Sequence, residues 1–233
     1  MIANESEYKQ ENSLFQARQN MLLQQLRPMG IHSSKLFDIF VQVVREDFVP
    51  ERQKSLAYAD VNLSLDANNH MLTPTLEAQI LQVSDVKPTD RVLVIGTGSG
   101  YLTALLAKLA KQVVSVEIDP HLIQQAEDNI NHYALTNIRL KHGDVFNSDL
   151  QIELEKEGFF DVIVVTGSVS DNIEYFSQHL ARSGRLFCVI GHSHTMQATL
   201  ITKTQQKQFN THVLFETYLP ALLNIPNNQN FTL

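Results

Sequence analysis

At 233 residues, with 43% apolar and 18% charged side chains, the chain can bury a proper core and is neither disordered nor fibrous. A formal charge of −7 with scattered Lys and Arg argues against nucleic acid as a partner, since phosphate binding needs clustered cations. The single cysteine, Cys188, excludes an internal disulfide framework, the start (Glu5, Glu7, Lys9, Glu11) has no signal-peptide core, and no run approaches the ~20 apolar residues of a membrane span, so a cytoplasmic protein without a membrane partner is expected.

Residues 1 to about 12 are polar and read as loose. Leu14, Ala17, Met21, Leu22 and Leu26 then recur at helical spacing until Pro28 and Gly30 end the helix. Ser33 or Ser34 caps a second helix, with Leu36, Phe37, Phe40, Val41 and Val44 as its expected buried face. An irregular stretch follows from Val49 to Asn69, and Pro74 opens a third helix, Thr75 to Val83. From Lys87 the texture changes. RVLVI (Arg91–Ile95), VVSVE (Val113–Glu117), Ile138–Lys141, FDVIVV (Phe160–Val165) and GRLFCVI (Gly184–Ile190) read as strands. Helices are expected at Tyr101–Lys111, Pro120–Asn131 and Asp171–Leu180.

Alternating strands and helices imply a parallel, doubly wound α/β sheet with right-handed crossovers. Ala198–Lys203 and His212–Tyr218 alternate apolar and polar residues, as an antiparallel hairpin on one edge would. The expectation is one domain over 1–233, with a helical and loop cap (1–86) and an α/β core (87–233).

The first strand of that core runs into Gly96-Thr97-Gly98-Ser99-Gly100 and then a helix. Glycines allow a sharp turn and close approach of a ligand to the main chain, beside the unpaired N–H groups of a helix start. Glu117, 21 positions beyond Gly96, ends the second strand, where a carboxylate can accept ribose hydroxyls. Asp144, after the third strand, is placed to hold an adenine amino group. A dinucleotide fingerprint needs another glycine where Tyr101 stands, so the spacing favours S-adenosylmethionine over NAD. Thr97 and Thr166 complete the candidate cofactor residues with Gly96, Gly98 and Gly100; Thr166-Gly167-Ser168 reads as a wall after the fourth strand.

On these and further segments the chain resembles the protein-L-isoaspartate O-methyltransferases, over roughly Gln24 to Pro220. The resemblance rests on QQLRPMGI (Gln24–Ile31), VVREDFVPE (Val43–Glu51), LAYAD (Leu56–Asp60), DRVLVIGTGSGYLTALLA (Asp90–Ala107), VEID (Val116–Asp119), HGD (His142–Asp144), FDVIVVTG (Phe160–Gly167) and SGRL (Ser183–Leu186). It implies a Rossmann-like methyltransferase fold and S-adenosylmethionine as cofactor. It also implies isoaspartyl proteins or peptides as partners. In that chemistry an isoaspartyl carboxylate takes the sulfonium methyl in line, and the ester closes to a succinimide unaided.

Two positions depart from the family pattern. Its acceptor loop carries a serine at the position of Leu72 within DANNHMLTP (Asp66–Pro74), leaving Thr73 or His70 as candidate catalytic substitutes. Val94 stands where the family has an acidic residue two before the first glycine; loss of a charge-assisted hydrogen bond costs about 1.5–3 kcal/mol. The alternatives are a same-fold methyltransferase with another acceptor, or a degenerate homologue serving as a binding module. His192 and His194 lack the further ligands of a metal site, and Cys188 reads as an inert buried thiol.

Overall fold

The computed structural model describes residues 5–170, 173–192, 195–205 and 208–226, falling into two units, Met1–Gln82 and Val83–Leu233. In the first unit, helix α1 (Glu5–Asn20) starts earlier than apolar periodicity suggested and continues as a π-helical segment, Met21–Leu26. Its first residues are Glu, Gln and Lys, good helix formers that carry no periodic signal; residues 1–4 lie outside the described residues.

Ser33 caps α2 (Ser34–Gln42) by accepting from Leu36 N–H at 3.4 Å. Its buried face is Leu36, Ile39 and Phe40, continued by Val43, whereas Val41 is 45% exposed. That is one helical stripe at i, i+3, i+4, i+7, and it corrects the expected set. The stretch read as irregular contains a 3₁₀ turn over Glu51–Leu56, after another over Arg45–Phe48. Strands β1 (Leu63–Ser64) and β2 (His70–Met71) pair antiparallel, and α3 (Pro74–Ser84) follows.

The second unit is built on β3 (Arg91–Ile95), β4 (Gln112–Glu117), β5 (Ile138–His142), β6 (Phe160–Val169), β7 (Leu180–His192), β8 (Thr195–Gln205) and β9 (Gln208–Glu216). They form one sheet in the order β5-β4-β3-β6-β7-β8-β9; β3 to β7 are parallel, and β8 and β9 add the antiparallel hairpin. The fold is thus the expected doubly wound, mostly parallel α/β sheet. Helices α4 (Tyr101–Ala107), α5 (Pro120–Asn131), α6 (Ser148–Glu157) and α7 (Glu174–Ser177) connect the strands. Leu93, Ile95, Val114, Val116, Ile163 and Leu186 lie at the centre of a buried cluster, as expected where apolar strands are covered on both faces.

Helix α6 carries no signal in the sequence, because its turns hold more acidic and polar residues than apolar ones; only Leu150 and Leu154 are buried. The helix expected over Asp171–Leu180 is reduced to Glu174–Ser177, with Asp171 and Asn172 outside the described residues. β6 runs on through Thr166-Gly167-Ser168, and β7 passes through Ser183-Gly184, with Ser183 at φ +61°.

Candidate functional site

The chain lays down β3, β4 and β5 outward and then returns to place β6 against the other side of β3. Strand order therefore reverses between β3 and β6, where open α/β sheets leave a crevice at their carboxyl edge. Gly96–Gly100 leaves β3 at this point. Gly96 has φ +90°, and a Cβ there would overlap Thr166 Oγ1. Gly100 has φ +87° at the start of α4, with Ile130 Cδ1 3.0 Å and Ala126 Cβ 3.1 Å from where its Cβ would sit. Both glycines are thus demanded by conformation and by packing.

Glu117, 6% exposed, carries its carboxylate back over this turn. Oε2 accepts from Gly98 N–H at 2.9 Å, and Oε1 accepts from Ile118 N–H at 3.0 Å and Asp119 N–H at 3.1 Å. A carboxylate has about four lone-pair directions, so one remains for a ligand hydroxyl. Accepting two hydroxyls requires one amide to let go. Asp144 follows β5, whose His142 pairs with Glu117. It is half-buried; Oδ1 accepts from Phe146 N–H and Oδ2 from Asn224 Nδ2, each at 2.8 Å.

The two threonines serve the turn from inside. Thr166 lies between the carbonyls of Ile95 and Gly96, at 3.0 and 2.9 Å from its hydroxyl. Thr97 is buried and shares a hydroxyl chain with Ser115 (2.7 Å), which continues to Thr103 (3.0 Å). Both side chains hold the backbone in shape and leave the main chain as the ligand-facing surface. Val94 is fully buried in the middle of β3, between Ser115 and Val164. These residues fit an adenosine-bearing cofactor: a turn with glycine at 96, 98 and 100, a strand-end carboxylate with a vacant acceptor direction, and a second carboxylate two positions beyond β5.

In the first unit, the altered segment forms a short hairpin. Asp66 Oδ1 accepts from Asn68 N–H (2.7 Å) and Asn69 N–H (2.8 Å), and Oδ2 from Asn69 Nδ2 (2.8 Å). The Asn69 amide and these backbone donors hold the Asp66 carboxyl below its usual pKa. His70 is exposed on β2. Thr73 caps α3 by accepting from Leu76 N–H at 3.3 Å. Thr75 donates its hydroxyl proton to Asp60 Oδ1 at 2.7 Å. The 3.2 Å contact between Thr73 and Thr75 therefore has Thr73 as donor, because Thr75 has no second proton. The Thr73 hydroxyl is engaged on both sides.

Arg45, within VVREDFVPE, is not among the candidate site residues of the sequence, yet it organises this region. Fully buried, it donates Nε–H to Ala57 C=O (2.8 Å) and Nη2–H to Leu72 C=O (2.6 Å), and pairs through Nη1 with buried Glu77. Burial pushes the Glu77 carboxyl up to about 7 against the opposing pull of Arg45. Asn224, 80 positions from the carboxylate it touches, carries no signal in the sequence.

Among the described residues no group of three His, Cys, Asp or Glu is placed to hold a metal ion, and no helix is long and apolar enough to cross a membrane. His194 lies outside them. Cys188 is fully buried and its thiol is pushed up to about 12, which makes it inert.

Compared with known proteins, residues 17–223 match the family described as Protein-L-isoaspartate(D-aspartate) O-methyltransferase. A protein-L-isoaspartate O-methyltransferase of Koribacter versatilis is 33% identical over 188 residues, 81% of this chain and 82% of the relative. One from Yersinia pestis is 35% identical over 174 residues, 75% of this chain and 81% of the relative. A Plasmodium falciparum crystal structure assigned to the same activity, in complex with S-adenosyl-L-homocysteine, is similar with a TM-score of 0.75. It is 26% identical, covering 86% of this chain and 96% of that one.

Proposed function

Because the chain belongs to the protein-L-isoaspartate O-methyltransferase family, we propose that it transfers a methyl group from S-adenosylmethionine to the carboxylate of isoaspartyl residues in proteins or peptides. The observation that carries this reading is the Gly96–Gly100 turn at the strand-order reversal, with the Glu117 carboxylate folded over it. When bound, the cofactor supplies an electrophilic methyl group on a sulfonium.

The main chain of Gly96, Thr97, Gly98 and Gly100 would line the cofactor, with Thr166 supporting Gly96. Glu117 would accept from the ribose and Asp144 from the adenine amino group. A carboxylate acceptor is ionised at neutral pH, so no side chain of this protein needs to remove a proton. Catalysis then rests on holding two reactants in line, for which ~7–11 kcal/mol is available in principle. His70 and Thr73 are assigned to the acceptor side. His70 is the readier of the two, since Thr73 has to give up a cap or a hydroxyl contact to reach a ligand. A cytoplasmic location belongs to the same reading, supported by the single, buried Cys188. The charge of −7 supports protein rather than nucleic acid as partner.

The engaged Thr73 and the alkyl side chain of Leu72 favour, as a second reading, a methyltransferase with a different acceptor. Radiolabelled methyl transfer to an isoaspartyl peptide and to its aspartyl twin decides between them. Labelling of the isoaspartyl peptide alone is the expected result. Cofactor binding with transfer to neither points to the second reading or to a binding module.

A further inference from the structure

Beyond β9 the described residues return to the end of β6. Ser168 N–H donates to Pro220 C=O at 2.8 Å, Leu222 N–H donates to Ser168 C=O at 3.0 Å, and Ser168 pairs in parallel with Ala221. Leu222 lies so close over Gly167 that a Cβ there would come within 2.6 Å of Leu222 Cδ2. Leu222 and Ile225 both pack against the buried cluster of the sheet. Residues 220–225 are therefore a strap fastened to the outer end of β6, and the fastening points lie on both sides of Asn224. Asn224 itself has φ +58°, a conformation that Asn tolerates better than other non-glycine residues.

Its carboxamide reaches Asp144 Oδ2 at 2.8 Å, while Phe146 N–H holds Oδ1 at 2.8 Å. Each oxygen of the carboxylate is thus held by one donor, which fixes the plane of the group. Each also keeps a lone pair in reserve. Both donors are neutral, so the carboxylate is oriented without being neutralised by a cation.

We propose that Asn224 is a positioning residue of the cofactor site, fixing the Asp144 carboxylate so that it receives the 6-amino group of adenine and making the strap a determinant of base selectivity. This rests on the reading of Asp144 as the adenine-amino acceptor. It follows that Asn224 acts only on ligands that carry the amino group. It also follows that a carboxylate at 224 is worse than no side chain, because two like charges would meet at hydrogen-bond distance.

The test is calorimetric titration of the full chain with two ligands, S-adenosyl-L-homocysteine and its analogue lacking the 6-amino group, with melting curves as the check on folding. The wild type is expected to prefer the amino ligand. N224A is expected to lose about two- to tenfold of affinity for it, less than a charge-assisted bond to the ligand is worth because Asn224 acts through Asp144, with the analogue unchanged. N224D is expected to lose more. D144A is expected to abolish the preference itself. L222A, which loosens the strap, is expected to weaken both ligands alike and so calibrates a merely structural effect. The proposal is overturned if N224A weakens both ligands equally, changes neither, or tightens S-adenosyl-L-homocysteine; the last would mean that Asn224 competes for the oxygen. Preference that survives D144A removes the Asp144 assignment, and with it the proposal. Absence of any binding to the folded wild type removes the cofactor reading itself.

Discussion

The carboxyl edge of the second unit and the hairpin segment of the first are both rich in polar groups, but the groups are disposed differently. At the sheet edge, Glu117 holds three amides and keeps an acceptor direction in hand, and the two threonines turn inward to leave bare main chain. In the hairpin, Asp66 also accepts three bonds, all from its own turn, and Thr73, Thr75 and Asp60 bond one another. One region leaves main chain bare beside its carboxylate, and in the other the polar side chains bond one another. By the resemblance, the first keeps the family's glycine turn and strand-end carboxylate but departs at Val94, and the second departs at Leu72. The difference teaches that a retained motif marks a place where the needs of the fold and of the ligand coincide. Val94 sharpens the point: an alkyl group in the closed interior of β3 serves the strand, whatever it withholds from a ligand.

The largest expected effect breaks the hairpin region from beneath. R45M leaves Glu77 buried without its partner and frees two loop carbonyls, at a cost of about 3–5 kcal/mol in denaturant unfolding near pH 8. Glu77's folded pKa, about 7, lies above its ordinary 4.5. Its contribution to stability is therefore complete below about pH 4.5 and is lost as pH rises through about 7. The cost of R45M should accordingly shrink when the same unfolding is measured at pH 5, where Glu77 binds a proton. An unchanged cost at both pH values would mean that Glu77 is ionised throughout.

Next in size, G96A strikes the sheet edge. It combines a left-handed backbone with overlap on Thr166 Oγ1, for an expected loss of about 2–4 kcal/mol. That is a fall in Tm of roughly 4–16 °C for a chain of this length. A melting curve that does not move would show that the turn can relax. E117Q keeps the fold's contacts in part but loses the charge. Affinity for S-adenosyl-L-homocysteine should fall roughly ten- to 150-fold, from about 1.5–3 kcal/mol for a charged hydrogen bond; equal titrations for both proteins would remove Glu117 from the site. The smallest effect is T73A, which removes a helix cap worth about 1 kcal/mol. Cofactor binding should stay within about twofold, as calorimetry would show. Methyl transfer lost while Tm and binding hold would promote Thr73 from cap to catalytic residue.

Much of the second unit was legible because its signals are local. A five-residue apolar run such as Arg91–Ile95 has little choice but to be a buried strand, and glycines at 96 and 100 announce a positive-φ turn. The antiparallel hairpin could be read from period-two alternation, and its order in the sheet followed from chain connectivity. What escaped the sequence depends on distant partners or on weak patterns. Helix α6 buries only two leucines, and α1 begins in residues with helical propensity but no apolar stripe. β6 continues through Thr166-Gly167-Ser168 because β7 pairs with Ser168 and Val169 on one side and the strap from 220–225 bridges Ser168 on the other. That Thr73 is spent as a cap, and that Asn224 lies on Asp144, are facts of hydrogen bonding between residues whose types suit many roles.

The claim on which the rest depends is that the carboxyl edge of the second unit holds an adenosine-bearing cofactor. Calorimetric titration of the full chain with S-adenosyl-L-homocysteine tests it most directly. The account predicts saturable binding, one ligand per chain, with a Kd in the micromolar range or somewhat weaker because Val94 offers no charge. No heat and no thermal shift at millimolar ligand, from protein whose melting curve shows it folded, would contradict it.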